Sequence, residues 1–169
     1  MMTTDKFPKR KHPRLKAYDY SQNGSYHITI CTKDKECLLG KIVFNQQAAD
    51  VINIHLSPYG LIADKYIKRI NDVYEFTHVD KYVIMPNHVH LLITIERPIE
   101  SLVDKTQKYP DIKTVVRSFK RMVGREIGRT IWQESFFDTV IDTDDEYYNV
   151  YDYIEKNPFN WIADKYYRI

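Results

Sequence analysis

Cysteine and glycine are scarce in this chain of 169 residues, and long apolar runs are missing altogether. Cys31 and Cys37 are the only cysteines, too few for a disulfide scaffold and not in the CxxC form of a thiolate zinc site. Both read as reduced packing residues. Nowhere do 18 apolar residues run together, which excludes an ordinary membrane-spanning helix. The amino terminus, MMTTDKFPKRKHPRLKAY, is charged and lacks the apolar core of a signal peptide, so the expectation is a cytoplasmic protein. No repeat and no low-complexity segment is present. What remains is 43% hydrophobic and 14% aromatic, enough to build one compact domain with a core.

The net charge of +2 conceals a segregation. Residues 1–16 carry six basic side chains against Asp5, and residues 113–129 carry six against Glu126. Each segment is therefore +5, and the rest of the chain is −8. Residues 1–20 read as a basic arm, and residues 21–169 as one domain. Concentrated positive charge suits a phosphate backbone, because each cation that neutralises a phosphate releases condensed counterions. A solvated helix face and a basic tail would look the same by charge alone.

Along the chain, Ser25 to Thr32 is rich in β-branched and aromatic residues and follows the turn pair Asn23-Gly24, the pattern of a strand. Val51 to Leu56 is similar. Ser57-Pro58 supplies an N-cap and an N1 proline for a helix to about Ile70, with Asn71-Asp72 as its stop. Tyr74 to Met85 and His88 to Glu96 flank Pro86-Asn87 and predict two antiparallel neighbours, the second apolar on both faces and therefore central. From Ile112 the period becomes helical. Val115, Phe119, Met122, Val123 and Ile127 share one side, and Lys113, Arg117, Lys120, Arg121 and Arg125 the other. Ile131 to Ile141 is partly extended. The acidic run from Asp142 to Glu146 opens a last helix that ends at Asn157-Pro158. The mixture predicts an α+β sandwich with one sheet.

Chemistry concentrates in MPNHVHLLITI. His88 and His90 lie two apart in a strand, so both imidazoles point to one face, a spacing that suits two ligands of one metal ion. Two ligands are too few for a closed site, so a third ligand and open positions are implied. His78 is a potential neighbour, whereas His12, His27 and His55 read as structural or surface residues. In the last helix, Tyr147, Val150, Tyr151 and Ile154 form an apolar stripe. Tyr153 lies about 110° from its centre, with Asn157 one turn further on the same side. The chain has 14 tyrosines, and Tyr151 with Glu155 has the same spacing, so geometry alone does not select a nucleophile.

These motifs resemble a known superfamily. His88-Val89-His90 within YVIMPNHVHLLI is similar to the histidine-hydrophobe-histidine motif of HUH endonucleases. FKRMVGREIG, IWQESFFDTVI and YDYIEKNPFNW follow it in the order seen in single-tyrosine transposases. Within that superfamily the chain resembles REP-associated tyrosine transposases, relatives of the smallest insertion-sequence transposases, from about Tyr26 to Trp161. The resemblance implies a ferredoxin-like βαββαβ sandwich, a central antiparallel sheet with helices on one face. It implies Tyr153 as the catalytic tyrosine, with His88, His90 and Asn157 as ligands of Mg²⁺ or Mn²⁺. It further implies cleavage and rejoining of single-stranded, hairpin-forming DNA through a 5′-phosphotyrosine intermediate and a free 3′ hydroxyl, in a bacterial cytoplasm beside the nucleoid. Monomer and homodimer both remain open. By charge placement, Lys9, Arg10, Lys11 and Arg14 of the arm join Lys113, Arg117, Lys120, Arg121 and Arg125 as the expected DNA contacts. Two other functions fit the same residues: a non-catalytic ferredoxin-like nucleic-acid-binding protein, and a metal phosphodiesterase that uses water.

Overall fold

The structure, a computed structural model, describes residues 20, 22–45, 51–100, 109–164, 166 and 167. Four strands form one sheet: β1 (Gly24–Cys31), β4 (Thr77–Met85), β5 (His88–Ile95) and β6 (Phe137–Ile141), in the order β4-β5-β1-β6 with every pair antiparallel. A separate hairpin, β2 (Gly40–Asn45) with β3 (Val51–Leu56), lies between β1 and the first helix. Helices α1 (Pro58–Val73) and α2 (Ile112–Ile127) connect the sheet strands, and α3 (Asp144–Lys156) follows β6. Leaving out the hairpin, the sequence from β1 to β6 is β-α-β-β-α-β, the ferredoxin-like order expected.

Local chemistry explains the element boundaries. Ser57 caps α1 by accepting from Gly60 N at 3.1 Å, with Pro58 in the first turn, as the sequence predicts. The helix does not stop at Asn71, because the Asn71 carboxamide accepts from Val79 N at 2.8 Å instead of breaking the last turn. Gly60 is dictated by close packing: a Cβ there would meet the Leu39 carbonyl oxygen at 2.0 Å. Asp111 caps α2 through Thr114 N, and Gly128 ends it in the left-handed region at φ 85°. Thr143 caps α3, and three acidic residues occupy its first turn. Strand β2 has no counterpart in the sequence reading. Cys31 is buried as expected, but Cys37 is exposed rather than packed.

Alternation along β1 and β5 separates the sheet into two unlike faces. Tyr26, Ile28, Ile30, Val89, Leu91 and Ile93 are fully buried against α1 and α2, joining Ala63, Ile67, Ile112, Val116, Phe119 and Val123. Helices on one face therefore describes α1 and α2 only. The third helix lies across the opposite face, where Ile154, Tyr147, Val150 and Tyr151 pack with Leu92, Ile141 and Val83. That stripe is the one its 3.6-residue period predicted.

Candidate active site

Because β1 and β5 run antiparallel with Thr29 opposite His90, the face beneath α3 collects His27, Thr29, His88 and His90. His88 and His90 are fully buried, with ring centroids 4.7 Å apart. The Nδ1 atom of His90 lies 3.0 Å from Thr29 Oγ1 and 3.1 Å from His27 Nε2. The Nδ1 atom of His88 lies 2.9 Å from Asn87 Oδ1.

Asn87 fixes more than a contact. Its amide nitrogen donates to the carbonyl oxygens of Lys35 (3.0 Å) and Tyr166 (2.7 Å), which settles the orientation of the carboxamide. Oδ1 must then face His88, so Nδ1 of that ring carries a proton, and in the neutral imidazole the lone pair is on Nε2. This is the tautomer a metal ligand needs, oriented from behind by an amide.

Helix α3 delivers the tyrosine. The Tyr153 ring meets His90 edge-on at 5.2 Å and His27 at 5.7 Å, while 41% of the residue remains exposed. Burial raises its phenol above the ordinary value and the charge of Asp164 adds to this, whereas a hydrogen bond from the Asn157 side chain opposes both. Tyr151 turns elsewhere. Its ring lies 4.4 Å beneath the Lys81 ammonium, which pairs with Glu155 at 3.2 Å. The rival pair of the sequence reading is thus engaged on the other side of the helix.

Asn157 is buried on the tyrosine's side of α3, and its Oδ1 has no hydrogen-bond partner among the described residues. The group that clusters with the imidazoles is Asp164: ligand atoms of His88, His90 and Asp164 all lie within 4.8 Å of one another. Two imidazoles and a carboxylate form a donor set suited to a divalent cation. Asp164 was missed in the sequence because it follows Pro158, where the helix was expected to end. In the structure Asn157–Ala163 continues as 3-10 turns and carries the chain back to the site. His27 and Asn87 were also missed. His78 and His55 are exposed and apart from the site, and His78 pairs with Thr94 near the far end of β5.

The basic helix does not approach the imidazoles, since α2 packs on the opposite face of the sheet. Arg117, Arg121 and Arg125 are exposed. Lys113 lies 4.0 Å over the Tyr20 ring, and Lys120 donates to the carbonyls of Gln133 (2.6 Å) and Glu134 (2.8 Å). Lys9, Arg10, Lys11 and Arg14 lie outside the described residues. Among the described residues, no helix is long and apolar enough to cross a membrane.

A ferredoxin-like sheet with a histidine-hydrophobe-histidine motif on a central strand, faced by a tyrosine from a late helix, is the arrangement of the single-tyrosine transposase class. The family model described as "Transposase IS200 like" matches residues 20–157, and the chain belongs to that family. An uncharacterized protein of Haemophilus influenzae is 31% identical over 174 residues, covering 94% of this chain and 93% of that one. The fold is shared with a REP-associated tyrosine transposase solved bound to a REP hairpin. That likeness has a TM-score of 0.59 and 17% identity, over 87% of this chain and 74% of the other.

Proposed function

We propose that this protein cuts and rejoins single-stranded DNA at hairpin-forming repeats, with Tyr153 as the nucleophile. The observation that carries the reading is the position of Tyr153: half-exposed, edge-on to His90, and beside the only group of three metal-ligating side chains among the described residues. The phenol oxygen attacks phosphorus and gives up its proton to solvent as the bond to the 3′ oxygen breaks. That oxygen leaves as a 3′ hydroxyl after taking a proton, and the phosphate stays on Tyr153 as a 5′-phosphotyrosine. Attack by a second strand's 3′ hydroxyl reverses the step and restores the phenol. Mg²⁺ or Mn²⁺ held by His88 and His90 would neutralise the phosphate oxygens and make phosphorus more electrophilic.

The DNA partner follows from charge and fold. A protein of the same fold was solved with a REP hairpin, which supports a hairpin as substrate. On α2, Arg117, Arg121 and Arg125, with Lys113 and Lys120 beside them, would grip the stem behind the sheet, and the basic arm would add Lys9, Arg10, Lys11 and Arg14. The reaction would take place in the cytoplasm, on nucleoid DNA.

The test is to incubate the protein with Mn²⁺ or Mg²⁺ and labelled hairpin DNA, then resolve it under denaturing conditions. A denaturant-resistant protein-DNA adduct that is lost in Tyr153→Phe and kept in Tyr151→Phe is the expected result. Cleavage without an adduct would assign the reaction to water, and binding without cleavage would make the protein a binding module.

A further inference from the structure

The segment after α3 closes over the histidine face. Trp161 and Tyr166, both buried, bring their rings to 6.0 Å and 4.6 Å from that of His88. The carbonyl of Tyr166 is tied to Asn87, the same residue that sets the His88 tautomer. Between the two in sequence lies Asp164, its side chain only 5% exposed.

The two oxygens of this carboxylate have different surroundings. Oδ1 accepts from Tyr166 N at 2.6 Å, which locks the group in a turn. Oδ2 stands 3.9 Å from Nε2 of His88. That gap is too wide for a hydrogen bond. Two ligands about 2.1 Å from a common ion are separated by roughly 3.0 Å at a right angle and 4.2 Å when opposed. The Asp164–His88 distance falls in this interval, and the full cluster, within 4.8 Å, needs at most a small side-chain rotation to enclose an ion.

We propose that Asp164 is an anionic oxygen ligand of the His88–His90 cation site. The inference rests on the reading that the two imidazoles hold a cation, and it adds the residue that supplies the charge. Two imidazoles and one carboxylate on one side leave the other side of the ion for phosphate oxygens. The hard carboxylate favours Mg²⁺ and Mn²⁺ over softer metals. The ligand also arrives on the strap that follows the nucleophile's helix, so ion binding and the seating of α3 support each other.

Mn²⁺ titrated into the full chain, followed by calorimetry and by the electron paramagnetic resonance of the free ion, tests this without DNA. Asp164→Asn keeps an oxygen for Tyr166 N but loses the charge, and it should weaken Mn²⁺ binding by about tenfold or more, as should His88→Ala. If Asp164→Asn binds Mn²⁺ like the wild type while His88→Ala does not, this inference is wrong and the cation reading stands. If His88→Ala also binds like the wild type, the cation reading itself falls. Should Asp164→Asn fail to fold, Asp164→Cys with Cd²⁺ replaces it. A thiolate-to-cadmium charge-transfer band that disappears on adding His88→Ala supports the assignment, and its absence in the folded single variant overturns it.

Discussion

On the face that packs against α1 and α2, β1 and β5 present Ile28, Ile30, Val89, Leu91 and Ile93, all sealed from solvent. On the other face the same two strands present His27, Thr29, His88 and His90. The backbone is common to both, so the difference lies entirely in what each alternate residue meets. The apolar face gains by excluding water, and the histidine face holds polar atoms that need named partners. Stability and chemistry are thereby separated by one residue step along a strand, and substitutions at adjacent positions should separate them too.

The largest effect is expected on the histidine face. Tyr153→Phe should reduce the covalent adduct to background while leaving the thermal midpoint unchanged, because the hydroxyl belongs to a residue that is 41% exposed. A clear loss of stability would show that the tyrosine is a packing residue. Leu91→Ala, one step from His90, should cost about 2–5 kcal/mol in urea unfolding. His90→Ala should cost less than that but lose Mn²⁺ binding, and the reverse ranking would break the division between the faces. Replacing Arg117, Arg121 and Arg125 together by Gln should weaken hairpin binding. It should also flatten the slope of log affinity against log salt by about 0.7–0.9 for each phosphate no longer neutralised, with Mn²⁺ affinity intact. Asn87→Ala should cost about 1–3 kcal/mol by stranding buried groups, and should weaken Mn²⁺ about tenfold by releasing the His88 tautomer.

The smallest effect concerns the outer side of α1 and α2. Hydrogen bonds from Lys65 and Tyr66 hold the Glu126 carboxyl below its ordinary 4.5. A depressed carboxylate contributes stability above its unfolded pKa and loses it as pH falls through the folded value. Glu126→Gln should therefore lower the thermal midpoint slightly at pH 7, and the difference from wild type should vanish in acid. All three side chains are solvated, so a large shift at pH 7 would be unexpected.

Where pattern and structure share a period, the sequence was legible. The two-residue alternation of β5 paired His88 with His90, and the helical stripe of α3 put Ile154 inward and Tyr153 aside. Relations made by long-range pairing were not legible. His27 reaches His90 only because Thr29 sits opposite it in the sheet, 61 positions away. Asn87 looked like a turn residue, and nothing local says that its amide will meet carbonyls from Lys35 and Tyr166. Asp164 lay beyond a proline that ends the α-helical pattern but not the chain's path. Strand β2, GKIVFN, has no clear alternation, and its partner β3 fixes it through a separate two-stranded sheet.

The route of the chain through the site also has a consequence in time. During synthesis β1 and β5 emerge first, and the imidazoles at 27, 88 and 90 are in place well before α3 and its strap. Tyr153 follows on α3, and the Tyr166 carbonyl that occupies the Asn87 amide arrives 13 residues later. A nascent chain halted between residues 90 and 164 would hold the histidine pair without Asp164. The histidine face has all its partners, the Asn87 clamp included, only when translation has passed residue 166.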